Sequence, residues 1–357
     1  MTRLTLAATT CLLPFSALAD APNVAADIAP VHALVAQIME GVGAPDLLIP
    51  ATQSPHHSNL RPSDAATLQQ SDLVFIIGEE LTPWLPDRIA TLAPGAKVVD
   101  LLDYAAVQHS YAEGGHEDHA EEGHDDHDDH ADHDDHAEHK DDDHADHDDH
   151  AEHKDDDHAE HDDHAEHKDD DHAEHDGHAG HDHDGLDPHA WLDPRNAAAW
   201  LTVIADELAA LDPDNAQSYR DAAAAQAKLM PALEAEVDQK LALVKGAGFL
   251  AYHDAYAYFS ERFGVVSSGS LASNEGAAPS AADMRRAQDL IQSGAVSCVF
   301  TEPQFSARSL TAITEGGAVQ VVELDPLGAR HTPGPDLYAA VITDMADAFE
   351  TCLSPAS

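Results

Sequence analysis

The sequence predicts an α/β protein of two lobes, each a four-stranded parallel sheet with flanking helices, joined by a long connecting helix. Three observations lead there. Short β-branched runs alternate with amphipathic helical runs, the pattern of parallel sheets covered by helices. The rhythm occurs twice, on either side of an Ala-, Leu- and Glu-rich stretch that contains no glycine, Asp214–Val244. Roughly 270 residues remain once a leader and a low-complexity segment are set aside, too many for one typical core.

In the first lobe the expected strands are Asn23–Ile28, Asp46–Ile49, Leu73–Ile77 and Lys97–Asp100. Between the first two, Val31, Leu34, Val35 and Ile38 share one face of a helix over Val31–Met39. Ser63 stands where an N-cap belongs, ahead of a short helix ending near Gln70. Strong helix formers fill Asp214–Val244, which would span about 45 Å as one helix at 1.5 Å per residue. Pro231 predicts a bend or break near Met230. In the second lobe the expected strands are Phe249–Tyr252, Val265–Ser268, Val296–Phe300 and Val319–Leu324. Ser280 is placed to cap a helix running through Ile291, and Asp336–Leu353 reads as a closing helix. The domain reading is therefore a leader over 1–19, a first lobe over 20–212, a connecting helix over 213–245 and a second lobe over 246–357.

The leader carries the marks of a secretory signal: Arg3, an apolar run from Leu4 to Leu13, and Ala17-Leu18-Ala19 as a small-x-small cleavage site. Cleavage after Ala19 predicts export to the periplasm. No other apolar run is long enough to cross a bilayer, so a soluble mature chain is expected. Export leaves two cysteines, Cys298 and Cys352, in an oxidising compartment, which favours a disulfide over two separate buried thiols.

The formal net charge is −51, of which residues 116–183 carry −29 and the rest −22. Even the remainder is too acidic to suit nucleic acid, whose phosphates require Lys and Arg. Residues 116–183 also hold 21 of the 28 histidines. A unit of the form HAEHKDDDHAEHDD recurs from His136, His150 and His164. With nothing apolar beyond alanine this insert cannot bury a core, and disorder is expected. Imidazole and carboxylate together suit borderline divalent cations, zinc above all, so a weak zinc collector, buffer or sensor is expected there.

Seven histidines lie outside the insert: His32, His56, His57, His109, His189, His253 and His331. Ligands of α/β sheets bind beyond the carboxyl ends of strands. His56, His253 and Asp325 each follow an expected strand, and His189 lies between the insert and a helix. Two imidazoles from the first lobe could thus meet an imidazole and a carboxylate from the second, the tetrahedral N/O set that zinc prefers. His57 competes with His56, since either could turn inward. His32 is expected in the first helix, and His109 and His331 in loops.

The segments SPHHSNLRPSD, DPHAWLDP, AYHDAYAYFSERFGV, TEPQFSAR and ELDPLG resemble those of the ZnuA-type periplasmic zinc-binding proteins of bacterial ABC transporters. The likeness extends over nearly the whole mature chain, including the place of the His/Asp-rich insert and the spaced cysteine pair. It implies two (β/α)4 lobes with metal held in the cleft between them by His56, His189 and His253. Some zinc-binding members carry a glutamate before the first histidine. Pro55 stands there in this chain, leaving Asp325 or a water as fourth ligand. Manganese and iron relatives typically place a carboxylate where this chain has His253, so the resemblance implies zinc. It further implies a monomer that hands zinc, as cargo, to an inner-membrane ABC permease. Without an HExxH or G-x-S-x-G motif, a zinc hydrolase is disfavoured. A periplasmic zinc buffer or chaperone with no transporter partner would share the same features.

Overall fold

The computed structural model describes residues 21–110, 185–272, 279–305 and 319–354. The expected signal (1–19) and the His/Asp-rich insert (116–183) lie outside the described residues. The first sheet comprises β1 (Val24–Ala26), β2 (Asp46–Leu47), β3 (Leu73–Ile76) and β4 (Lys97–Asp100), in spatial order β2-β1-β3-β4. The second comprises β5 (Gly248–Ala251), β6 (Val266–Ser270), β7 (Cys298–Thr301) and β8 (Gln320–Glu323), in order β6-β5-β7-β8. Every pairing is parallel. Each expected strand has its counterpart, usually trimmed at its ends. β3 reads Leu-Val-Phe-Ile with all four residues buried, as a central strand covered on both faces requires.

Helices α1 (Ala29–Met39), α2 (Pro62–Gln70) and α3 (Leu85–Leu92) flank the first sheet. α1 is buried almost all round because it packs against helices of both lobes. α2 departs from expectation at its start. Pro62 occupies the first turn, where a missing N–H costs nothing, and this moves the cap position from Ser63 to Arg61. The Arg61 backbone N–H donates to Asp64 Oδ2 (3.1 Å) and the guanidinium pairs with the same carboxylate. α7 (Ala257–Phe263), α8 (Ala281–Gln292) and α9 (Leu337–Leu353) belong to the second lobe. Ser280 caps α8 as expected: its Oγ accepts from Asp283 N (3.1 Å), and Asp283 Oδ2 accepts from Ser280 N (3.0 Å).

Among the described residues, three α-helices lie between the sheets in sequence: α4 (Pro194–Leu211), α5 (Ala216–Ala227) and α6 (Met230–Leu241). The segment expected as a connecting helix with a bend or break near Met230 is two helices, parted at Lys228 and Leu229. Pro231 falls in the first turn of α6. α5 packs on α1 and α4, whereas α6 packs on α4, α7 and α9, so the break is where the chain passes from one lobe to the other. One continuous apolar core runs through both lobes, from Leu34, Trp200 and Tyr219 to Phe249, Phe259 and Phe349. The rings of Phe249, Phe259 and Phe300 surround Phe349 with centroids 4.6–5.0 Å away. A disulfide joins Cys298, at the start of β7, to Cys352 near the end of α9, with Cα atoms 5.5 Å apart.

Carboxyls gather at the C-terminal edge of the first sheet. Burial pushes Asp27 up to about 7. Burial, then the charges of Asp103 and Glu80, push Asp100 up to about 8. The folded chain therefore holds these protons more tightly than the unfolded one, whose carboxyls titrate near 3.8. Their contribution to stability is fully present below about pH 4 and is lost as pH rises through 7 and 8. Replacing Asp100 with Asn keeps an acceptor for Leu102 N and removes the titration. The variant's melting temperature should gain on the parent's between pH 5 and pH 9, and a gap that fails to widen would contradict this assignment.

Candidate metal site

The three histidines that the resemblance implied as ligands converge. Their ligand atoms, from His56, His189 and His253, all lie within 4.8 Å of one another, and all three residues are buried. His56 sits in a short 3-10 turn, Pro55–His57, on the loop after β2. That turn directs His56 inward, 7 % exposed, and leaves His57 exposed. His189 precedes another 3-10 turn, Ala190–Leu192, that leads into α4. His253 follows β5. In the second sheet the strand order reverses between β5 and β7, and that crevice places His253 opposite Glu302, which follows β7.

Two carboxylates aim two of these rings, a role that residue type and spacing alone do not assign them. Asp187 Oδ1 lies 2.7 Å from His189 Nδ1 and also accepts the His189 backbone N–H at 2.9 Å. Glu302 Oε1 lies 2.7 Å from His253 Nδ1. An ionised carboxylate only accepts, so Nδ1 carries the proton in both rings and each Nε2 presents its lone pair. The two Nε2 atoms face each other at 3.4 Å. Ligands 2.0–2.1 Å from a tetrahedral zinc stand about 3.3–3.4 Å apart, so this pair already spans one edge of such a site. The signal for Asp187 was present as Asp-x-His within DPHAWLDP; Glu302 becomes a partner only through the adjacency of β5 and β7.

The rest of the lining is mostly apolar. Trp191, Phe305, Pro326 and Leu327 line the cleft with the histidines, and Ser54, Glu302 and Gln304 are its other polar members. Phe305 stacks on Tyr252 at 4.4 Å and meets His253 edge-on at 5.4 Å. Burial, then the nearby charges of Glu302 and Asp325, hold the Tyr256 hydroxyl well above its ordinary range. Apolar walls of this kind strengthen the attraction between a cation and its ligands.

Asp325 follows β8 as expected, 8 % exposed, but does not join the three-histidine group. Its Oδ1 accepts from Ala329 N (2.9 Å) and its Oδ2 from Arg330 N (3.0 Å), so both oxygens brace the turn that follows. His32 lies in α1 with Nε2 3.1 Å from Pro45 O, and His331 pairs with Asp344 at 2.8 Å. Neither approaches the cleft group. Converting Glu302 to Gln should weaken zinc binding about tenfold, the lower end for partners of metal-bound histidines, because an acceptor for Nδ1–H survives. Chelator competition checks it; an unchanged affinity would contradict the role given to Glu302.

Two α/β lobes enclosing three buried imidazoles, two of them backed by carboxylates, define a metal-binding protein of the two-lobed substrate-binding class. The family model for zinc-uptake complex component A, periplasmic (ZnuA), matches residues 24–352. The chain belongs to the ZnuA family. It is 41 % identical over 346 residues to the high-affinity zinc uptake system protein ZnuA of Paracoccus denitrificans, covering 96 % of this chain and 95 % of that one. To the ZnuA of Brucella suis biovar 1 it is 38 % identical over 336 residues, covering 93 % and 92 %. A crystal structure of a ZnuA shares the fold with a TM-score of 0.66 at 22 % identity, covering 94 % of this chain and all of that one. The family is one of zinc-uptake components rather than of enzymes.

Proposed function

We propose that the chain captures zinc in the periplasm and delivers it, as cargo, to an inner-membrane ABC permease. The observation that carries this reading is the convergence of three imidazoles from separate loops of two lobes, with one pair at the spacing of a zinc tetrahedron. His56, His189 and His253 act as ligands. The fourth position goes to Asp325, once the turn it braces yields, or to a water molecule. A charge of −22 outside the insert favours a cationic cargo. The chain works as a monomer, with the lobes taken as 20–212 and 246–357. Cleavage of residues 1–19 releases it to the periplasm, and the insert over 116–183 collects or senses zinc weakly.

Growth in chelated medium tests the proposal. In a host lacking its own zinc-uptake binding protein, the full chain with its permease should restore growth. The variant with alanine at His56, His189 and His253 should not, whereas a chain lacking 116–183 should still do so. Rescue by the triple variant would overturn the reading. Loss of rescue on deleting 116–183 would move the chemistry into the insert.

A further inference from the structure

The residues on either side of the 111–184 segment meet in a neck. Ser110 and Leu186 form an antiparallel bridge, and Asp187 N donates to His109 O at 2.8 Å. One side chain of the second lobe holds both strands of this neck. Tyr258, on α7 and fully buried, accepts from His109 N (3.1 Å) and donates to Asp187 O (2.9 Å) through the same hydroxyl. The contact is reinforced by the His109 ring, edge-on to Tyr258 at 4.4 Å, and by His109 Nδ1 3.5 Å from Glu261 Oε2. Asp187 is also the residue whose carboxylate fixes His189 twice, at the ring and at the backbone.

We infer that Tyr258 is a positioning residue for zinc binding, acting from the second lobe through Asp187 to aim a ligand of the first lobe. Its hydroxyl bonds to the neck on both sides, at His109 and at Asp187. With one donor and one acceptor role filled, it fixes where Asp187 stands along the neck, and so where the carboxylate meets His189 Nδ1. The aim of His189 thereby depends on how α7 is seated against the neck, which ties one lobe's ligand to the other lobe's position. This rests on the proposed role of His189 as a zinc ligand.

Tyr258→Phe keeps the ring and its packing and removes the hydroxyl. In the full chain, chelator competition should show the cleft's zinc affinity reduced about three- to tenfold. That is less than the loss expected for a direct histidine partner, because Tyr258 acts one residue removed. The cobalt-loaded protein should show shifted ligand-field bands, which a general loosening of the fold would not produce. Tyr219→Phe removes a comparably buried hydroxyl, bonded to Asp212, in a helix away from the cleft, and should change neither readout. In the Asp187→Asn background, Tyr258→Phe should cost less than it does alone, since the two act in series. Unchanged affinity and cobalt spectrum in Tyr258→Phe, an equal effect of Tyr219→Phe, or full additivity with Asp187→Asn would each overturn the inference. Failure of the parent protein to show any tight site would instead sink the zinc reading itself.

Discussion

Replacing His189 with alanine should lower zinc affinity at the cleft by two to three orders of magnitude while leaving the protein folded. Structural zinc sites with four ligands bind with roughly 10–16 kcal/mol, so each ligand contributes about 2.5–4 kcal/mol. His189 holds the central place of the three, with ring centroids 5.4 Å from His56 and 5.3 Å from His253. Two imidazoles and a water cannot replace the lost ligand. The fold tolerates the change because the backbone N–H of residue 189 still donates to Asp187, leaving that buried carboxylate with a partner. Weak sites in the insert should persist, so calorimetry should record the loss of one tight event and not of all binding. A tight site of unchanged affinity would contradict the assignment.

Converting Cys298 and Cys352 together to alanine should destabilise the protein by about 4 kcal/mol on the chain-entropy account of a disulfide. The two residues are 54 apart in sequence and both fully buried. In a chain of this size the loss corresponds to a melting temperature lower by roughly 10 °C. Zinc affinity should stay within about threefold of the parent. Cys298 opens β7 whereas Glu302 follows its far end, roughly 13 Å away at 3.3 Å per residue. Thermal melts of the metal-free double variant check the first expectation. An unchanged melting temperature would show that the bond does little to restrain the unfolded chain.

Much of this architecture was legible because parallel strands buried on both faces need runs such as Leu73–Ile76, which few other structures demand. Their positions relative to the histidines then located the cleft. What escaped was decided by local competition. Pro62 displaced Ser63 from the cap of α2, since a proline is better suited to the first helical turn than to the interior. His56 and His57 are equivalent as sequence; only the 3-10 turn at Pro55 separates them. Asp325 heads an Asp-Pro-Leu-Gly turn in which Gly328 adopts φ +76° and any Cβ there would strike Val341 at 2.8 Å. Aspartate at the head of such a turn commonly accepts backbone N–H groups, and that competing use of Asp325 was written in the sequence beside its candidacy as a ligand. Glu302 could not be read, because its pairing with His253 exists only once β5 and β7 lie side by side.

The most direct test of the account is diffraction from zinc-loaded crystals of the full chain, with anomalous data collected on both sides of the zinc absorption edge. One strong peak is expected in the cleft, within about 2.0–2.1 Å of Nε2 of both His189 and His253 and of one nitrogen of His56. A cleft without that peak, in crystals whose zinc signal lies elsewhere on the protein, would contradict it.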